Sequence, residues 1–282
     1  MSPSASPEIS IQPRPVTFLT DFGYGDEYVG VCRLVIAGID PRIRVIDISH
    51  GIPPGDVRRG ALALAAAVRF SAPAVHLAVV DPGVGTSRRA VVLTCGDHHL
   101  VGPDNGLLTL AAAVLGGIDA AFDVSATAVR IGDSGTFHGR DIFSPVAAEL
   151  ARGAAPGELG DAVGFRELAT LDLPEPTIAP QQVDCHVLYV DQYGNAILNL
   201  HAEVLDGTFL AEGVAAWFET SMEKVVIPVG RTFADVEPGD PVLFTDSTGY
   251  LALAVNRGSA ASRFGLGPDN EARITPVSGS QG

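Results

Sequence analysis

A change of rhythm near residue 170 constrains this chain more than any other feature. Before it, apolar β-rich runs alternate with stretches of helical spacing; after it, short β-rich runs follow one another with only turns between. Residues 16–20 (VTFLT) read as a buried strand that ends at Asp21 and the glycines Gly23 and Gly25. Residues 27–39 carry helical spacing, residues 44–48 form a second β-rich run, and residues 56–69 (DVRRGALALAAAVR) read as a helix with Asp56 at its start. Residues 75–80 make another strand, closing at Asp81. This alternation predicts an α/β N-terminal domain with a mainly parallel central sheet, covered by helices on both faces. Ligands of such sheets sit beyond the carboxyl ends of the strands, which puts Asp21 and Asp81 first among candidate site residues.

Residues 173–182 (LPEPTIAPQQ) hold three prolines and no periodicity, and read as a linker. Beyond them, residues 187–190, 196–200, 224–229, 242–245 and 250–255 are short β-rich runs at the spacing of an antiparallel barrel or sandwich. The expected organisation is a Ser- and Pro-rich disordered N-terminus over 1–14, an α/β domain over 15–172, and a smaller all-β, barrel-like C-terminal domain over 183–282. Trp217, in the strand-like run AAWFE, is expected in the core of that second domain.

Composition removes several function classes. With 46% hydrophobic and 18% charged residues, the chain has apolar material for a core and too little charge for a disordered protein. No apolar run reaches the roughly 18 residues of a membrane span, and no basic segment followed by an apolar one marks a secretion signal. Eighteen Lys and Arg against 33 Asp and Glu give a net charge of −15, which opposes nucleic-acid binding, because that draws its affinity from basic groups on phosphate. Cys32, Cys95 and Cys185 are an odd number without CxxC spacing, the pattern of reduced, buried thiols in a cytoplasmic protein. His50, His76, His98, His99, His186 and His201 have no metal-ligand spacing, which disfavours a metal site.

Each of the remaining motifs has a plain structural reading beside a functional one. The triplet DFG at 21–23 lacks the other loops of a kinase; Asp21 fits either an Asx-turn or a partner for ligand hydroxyls. DPGVGTSR (81–88) sets an Asp and an Arg at the two ends of a glycine-bearing loop, either closing it by a salt bridge or facing a ligand. In PDNGLLT (103–109), Asp104 or Asn105 reads as a helix cap. FHGRDIF (137–143) joins His138 to two charges ahead of another helix-like stretch, with Asp141 and Arg140 most economically a cap and a salt-bridge partner. DQYGN (191–195) and STGY (247–250) read as hairpin turns.

Taken in order, TDFG (20–23), DPGVGTSR (81–88), PDNGLLT (103–109), FHGRDIF (137–143), DQYGN (191–195) and STGYLALAV (247–255) resemble the S-adenosyl-L-methionine hydroxide adenosyltransferases. These are adenosine-forming hydrolases related to enzymes that fluorinate or chlorinate the same substrate. The resemblance runs from about Phe18 to Val255. It implies an α/β domain followed by a β-barrel, and a homotrimer with active sites between the N-terminal domain of one subunit and the C-terminal domain of the next. It also implies S-adenosyl-L-methionine as substrate, and no cofactor. The family's catalytic set falls on Asp81, Arg88 and His138, and the ribose-binding carboxylate on Asp21. Asp191, Tyr193, Asn195 and Ser247 match positions that hold the adenine and methionine portions, and Val255 one that contacts adenine. Asp81 and His138 fit the hydrolase pattern, whereas Gly139 alone does not separate a hydrolase from a chlorinase. Ala252 departs from the pattern, standing where hydrolase members often carry an acidic residue. The implied reaction is attack of water or hydroxide at the ribose C5′, releasing methionine; a chlorinase-like enzyme and a non-catalytic binder are the alternatives.

Overall fold

A computed structural model describes residues 12–205, 208–210 and 214–277. Most of the expected disordered N-terminus, residues 1–11, lies outside the described residues. Arg14, within the same expected stretch, is tied down: its N–H donates to the Ala151 carbonyl at 2.8 Å and its guanidinium to the Asp97 carbonyl at 2.9 Å. The chain divides into two compact units, the first ending at Leu171 and the second starting at Asp172.

The first unit is built on a seven-stranded sheet. Its strands are β1 (Val16–Thr20), β2 (Val45–Ser49), β3 (Val75–Val79), β4 (Ala90–Cys95), β5 (His98–Pro103), β6 (Ala120–Asp123) and β7 (Asp161–Val163), in the order β2-β1-β3-β5-β4-β6-β7. The core strands β2, β1, β3 and β5 run parallel, and β4, β6 and β7 continue the sheet antiparallel. Successive residues of a strand point to opposite faces, so a run apolar at every position must be covered on both. Val16 and Phe18 of β1, with Val75, Leu77 and Val79 of β3, face α1 (Tyr28–Ile39) and α4 (Ser144–Arg152). Leu19 and Ala78, on the other face, meet α2 (Val57–Val68) and α3 (Thr109–Val114). Asp56 caps α2, its carboxylate accepting the Arg59 N–H at 2.8 Å. Neither Asp104 nor Asn105 caps α3: Asp104 pairs with Arg89, and Asn105 closes its own turn on the Leu107 N–H. A single turn, α5 (Pro156–Leu159), precedes β7.

The second unit is an antiparallel, nearly closed barrel. Its strands are β8 (Thr177–Ala179), β9 (Gln182–Val190), β10 (Ala196–His201), β11 (Ala215–Glu219), β12 (Lys224–Pro228), β13 (Pro241–Thr245), β14 (Tyr250–Val255) and β15 (Glu271–Pro276). They follow the order β12-β11-β15-β9-β10-β14-β13, with β8 on β9. The ends approach each other at Gly230, whose N–H donates to the Leu243 carbonyl at 2.8 Å. Thr177–Ala179, inside the proline-rich stretch read as a linker, is thus a strand, because Pro180 and Gln181 turn it back onto β9. A short helix, α6 (Ala260–Phe264), packs Ala260 and Phe264 into the barrel core. Trp217 is not in that core. Alternation sends Ala216 and Phe218 inward, leaving the half-buried indole on the outer face beneath Lys224. Cys32, Cys95 and Cys185 are free and buried. Among the described residues, no helix is long and apolar enough to cross a membrane.

Candidate active site

Asp21 and Asp81 follow the carboxyl ends of β1 and β3, two adjacent parallel strands paired in register from Val16 with Val75 to Thr20 with Val79. The residue after a parallel strand leaves the sheet at its carboxyl edge, so neighbouring strands deliver both aspartates to one crevice. Four loops meet there. Asp21 accepts the Gly55 N–H at 2.8 Å, and Gly55, at φ +74°, lies against Pro82, the neighbour of Asp81. Gly85 has φ +79°, and a Cβ there would overlap the Gly135 carbonyl, so the 81–88 loop rests on the segment leading to His138. The ring of Phe22, beside Asp21, lies against Gly139, beside His138.

Within this crevice Arg88 joins the other two members of the expected catalytic set. Its Nε donates to Asp81 Oδ1 at 2.8 Å and its Nη2 to Asp81 Oδ2, a bidentate pair whose side chains are only 11% and 5% exposed. The same Nη2 lies 3.0 Å from His138 Nδ1. Guanidinium has donors and no acceptor, so this contact requires a lone pair on Nδ1 and puts the proton of neutral His138 on Nε2. Burial, reinforced by the Arg88 charge and partly opposed by Asp81, pushes the imidazole below its ordinary range, in keeping with that neutral form. The guanidinium stacks 5.2 Å over the Phe143 ring.

Local hydrogen bonds shape the supports. Val84 N–H donates to the Asp81 carbonyl at 3.2 Å, and Thr86 closes a second turn on the Gly83 carbonyl. Asn105 ties down the strand end ahead of Asp81, its Nδ2 donating to the Val80 carbonyl at 2.9 Å. His138 precedes a π-helical turn, Gly139–Phe143, that runs into α4. The wholly buried Asp141 in that turn accepts from Arg140 and from the Ser134 N–H at 3.0 Å, pinning the preceding loop. Asn105, Asp141 and Phe143 are supports that the motifs contain but whose task only the spatial arrangement discloses.

The expected residues of the second unit also converge. Asp191, Tyr193, Asn195, Ser247 and Val255 line one cavity of about 850 Å³, together with Ile197, Phe233, Phe244, Asp246, Arg257 and Gly258. Asp191 organises its rim: its carboxylate accepts the N–H groups of Tyr193 (2.8 Å) and Asn195 (2.9 Å) and the Asn195 side chain (2.8 Å). Asp246 does the same for Ser247, holding Thr248 and Tyr250 N–H at 2.8 and 3.1 Å. Ala252 is buried between its cross-strand partners Ile197 and Phe244, on the face that carries the cavity. Aromatic walls with a few polar groups at one edge suit a flat, heteroatom-bearing ligand. Among the described residues, no group of three or more His, Cys, Asp or Glu side chains is placed to hold a metal ion.

Residues 16–160 match the model of the SAM hydroxide adenosyltransferase N-terminal domain, and residues 185–273 that of the C-terminal domain. This chain is a SAM hydroxide adenosyltransferase family member. A (R)-S-adenosyl-L-methionine hydrolase of Salinispora tropica is 47% identical over 270 residues, covering 93% of this chain and 98% of that protein. A fluorinase of an Actinoplanes species is 28% identical, over 89% of this chain and 94% of its own. The crystal structure of an uncharacterised conserved protein from Thermotoga maritima matches with a TM-score of 0.85 and 33% identity, over 92% of this chain and 99% of that one. Within the family, the chain thus lies nearer the Salinispora hydrolase than the fluorinase.

Proposed function

We propose that this protein hydrolyses (R)-S-adenosyl-L-methionine to adenosine and L-methionine. The observation that carries the reading is the Asp81–Arg88–His138 contact set at the carboxyl edge of the sheet, in a family member nearly half identical to a hydrolase of that name. A water oxygen attacks C5′ in line with the C5′–S bond; the C–O bond forms as C5′–S breaks, and the bonding pair leaves on sulfur as the neutral thioether of methionine. Sulfonium is already a good leaving group, so the protein's task is to place and activate the oxygen. Holding it opposite sulfur supplies a large share of the rate.

Arg88 stays charged and is the electrostatic partner that stabilises the hydroxide character of the attacking oxygen as its proton leaves. Its N–H already occupies the lone pair of His138 Nδ1, so the Asp81 carboxylate is the acceptor for the departing proton. That proton becomes strongly acidic as the C–O bond forms, and a carboxylate is basic enough to take it at that stage. Asp21 binds the ribose hydroxyls. Asp191, Tyr193, Asn195, Ser247 and Val255 hold the adenine and methionine portions in the 850 Å³ cavity. In this reading the enzyme is a homotrimer whose sites are completed by a neighbouring subunit, and it needs no metal.

Incubation with each sulfur epimer of S-adenosyl-L-methionine, with and without chloride and with a chelator, tests the proposal by chromatography of the products. The expected result is adenosine and methionine from the (R) epimer, unchanged by chelator. Formation of 5′-chloro-5′-deoxyadenosine would make it a halogenase, and binding without turnover a ligand-binding protein.

A further inference from the structure

Behind Asp21 lies a buried polar chain that plays no part in the chemistry above. Thr20 Oγ1 accepts the Phe22 N–H at 3.1 Å, so the hydroxyl clamps the backbone on both sides of Asp21. That hydroxyl lies 2.8 Å from His50 Nδ1, with both side chains buried. On the far side of the imidazole, His50 Nε2 lies 3.2 Å from Asp47 Oδ1. Neither of these two buried atoms has a hydrogen-bond partner among the described residues, so the imidazole edge only approaches the carboxylate there.

One protonation pattern satisfies Thr20 and the Nδ1 side of the imidazole. The Thr20 oxygen accepts the Phe22 N–H while its own proton needs an acceptor, which His50 Nδ1 supplies, so the imidazole proton sits on Nε2, the nitrogen nearer Asp47. Nδ1 then holds a lone pair, the Thr20 O–H donates to it, and the threonine oxygen keeps its other lone pair for Phe22 N–H. Burial, and next the charge of Arg33, hold His50 at about 4, so it is neutral under ordinary conditions. Asp47 also pairs with Arg33 and accepts the Tyr24 hydroxyl at 3.0 Å, while the His50 carbonyl accepts the Gly23 N–H at 2.8 Å. Residues 20–24 are therefore anchored at Phe22, Gly23 and Tyr24 by one cluster on the strand end beside them.

We infer that His50 is a positioning residue for ribose recognition: through Thr20, and with Asp47 behind it, it fixes the backbone that aims the Asp21 carboxylate. This rests on the proposed role of Asp21 and adds the mechanism of its alignment. His50 touches no substrate. Its loss lets the Asp21 loop relax, which weakens the contact to the ribose hydroxyls and leaves the oxygen-activating set intact.

The test compares S-adenosyl-L-methionine with its 2′-deoxy and 3′-deoxy analogues. Steady-state kinetics are measured for the wild type, Asp21→Ala, His50→Leu, His50→Asn, Thr20→Val, Thr20→Ser and Tyr24→Phe. Losing one hydrogen bond of ordinary net strength corresponds to about ten-fold in affinity. His50→Leu and Thr20→Val are expected to raise KM for the natural substrate by about that factor, with kcat little changed. KM for the analogue lacking the Asp21-bound hydroxyl should stay put. His50→Asn, which keeps an acceptor for Thr20, and Thr20→Ser, which keeps the hydroxyl, should recover most of the loss.

Tyr24 is an exposed residue, and Tyr24→Phe removes only the hydroxyl on Asp47, so it keeps the test decisive if the buried variants fail to fold; it should move KM about two- to three-fold in the same direction. An unchanged ribose preference in these variants, or an equal loss on natural and deoxy substrates, overturns the inference. An unchanged preference in Asp21→Ala removes the ribose assignment beneath it, and absence of adenosine from the wild type removes the activity itself, so the three failures are distinguishable.

Discussion

Replacing Arg88 by lysine keeps a positive charge beside Asp81 and removes the planar fork that links it to His138. The fork spans both carboxylate oxygens of Asp81 and reaches His138 Nδ1 at 3.0 Å. A lysine ammonium is a point charge on a flexible stem, so it can hold one carboxylate oxygen but cannot keep all three contacts in one plane. A hydrogen bond to a charged group is worth about 1.5–3 kcal/mol net. If one such contact stabilises the hydroxide character that the oxygen gains as its proton passes to Asp81, about 2 kcal/mol corresponds to roughly a 30-fold fall in kcat. Alanine is the poorer probe. It strips the counterion from an Asp81 carboxylate that is only 5% exposed, and breaking a buried pair costs about 3–5 kcal/mol of stability, which confuses folding with catalysis. The assay is methionine release at saturating substrate, with substrate affinity from calorimetry and Tm recorded for both proteins. A 30-fold rise in KM at unchanged kcat, or no effect on either, would reduce the Asp81–Arg88 pair to a clasp that closes the loop.

Three other perturbations follow from the same geometry. Since burial and Arg88 lower the His138 pKa and the contact set uses the neutral ring, the acid limb of kcat/KM should have its midpoint below the ordinary histidine value of about 6.5; a midpoint above it would contradict the assigned tautomer. His76 is fully buried between Thr17 and His98, and burial, then the His98 charge, hold it at about 4 against 6.5 for the free group. Between those values the unfolded chain binds the extra proton, so stability should fall as pH drops from 6.5 to 4, with this one residue contributing a slope of up to about 1.4 kcal/mol per pH unit. Denaturant titrations of wild type and His76→Gln across that window measure it, and identical slopes would refute it. Gly194 stands at φ +83°, and a Cβ there would overlap Ser259, so Gly194→Ala should cost more than about 1 kcal/mol in denaturation and raise KM by disturbing the Asp191–Asn195 turn; a neutral effect on both would show that the turn tolerates change.

Sequence carried the fold furthest where periodicity was strong. Residues 75–80 are apolar at all but one position and residues 16–20 place apolar side chains on both faces, which a strand covered on both faces accommodates, and both are such strands. Thr177–Ala179 was hidden among prolines, whose rigidity serves a turn onto β9 as well as it serves a linker. Trp217 shows the other weakness: the four successive apolar or aromatic residues of AAWFE do not say which face is inward, and the register places the largest ring outside. At the site, Asp81, Arg88 and His138 were legible as residues, but nothing in the spacing of positions 81, 88 and 138 fixes an Nη2–Nδ1 distance of 3.0 Å. Nothing in the sequence marks His50, because Thr20, which it contacts, and Asp47, which it approaches, lie on two different strands, and only their parallel pairing brings them together.

The destination of the new oxygen tests the proposed reaction most directly. Turnover in ¹⁸O-labelled water, with the products separated and weighed by mass spectrometry, should place one heavy atom on the 5′-hydroxyl of adenosine and none in methionine. Label in homoserine alongside methylthioadenosine, or adenosine that carries no heavy oxygen, would show that the attack does not occur at C5′ by water and would contradict the roles given to Asp81, Arg88 and His138.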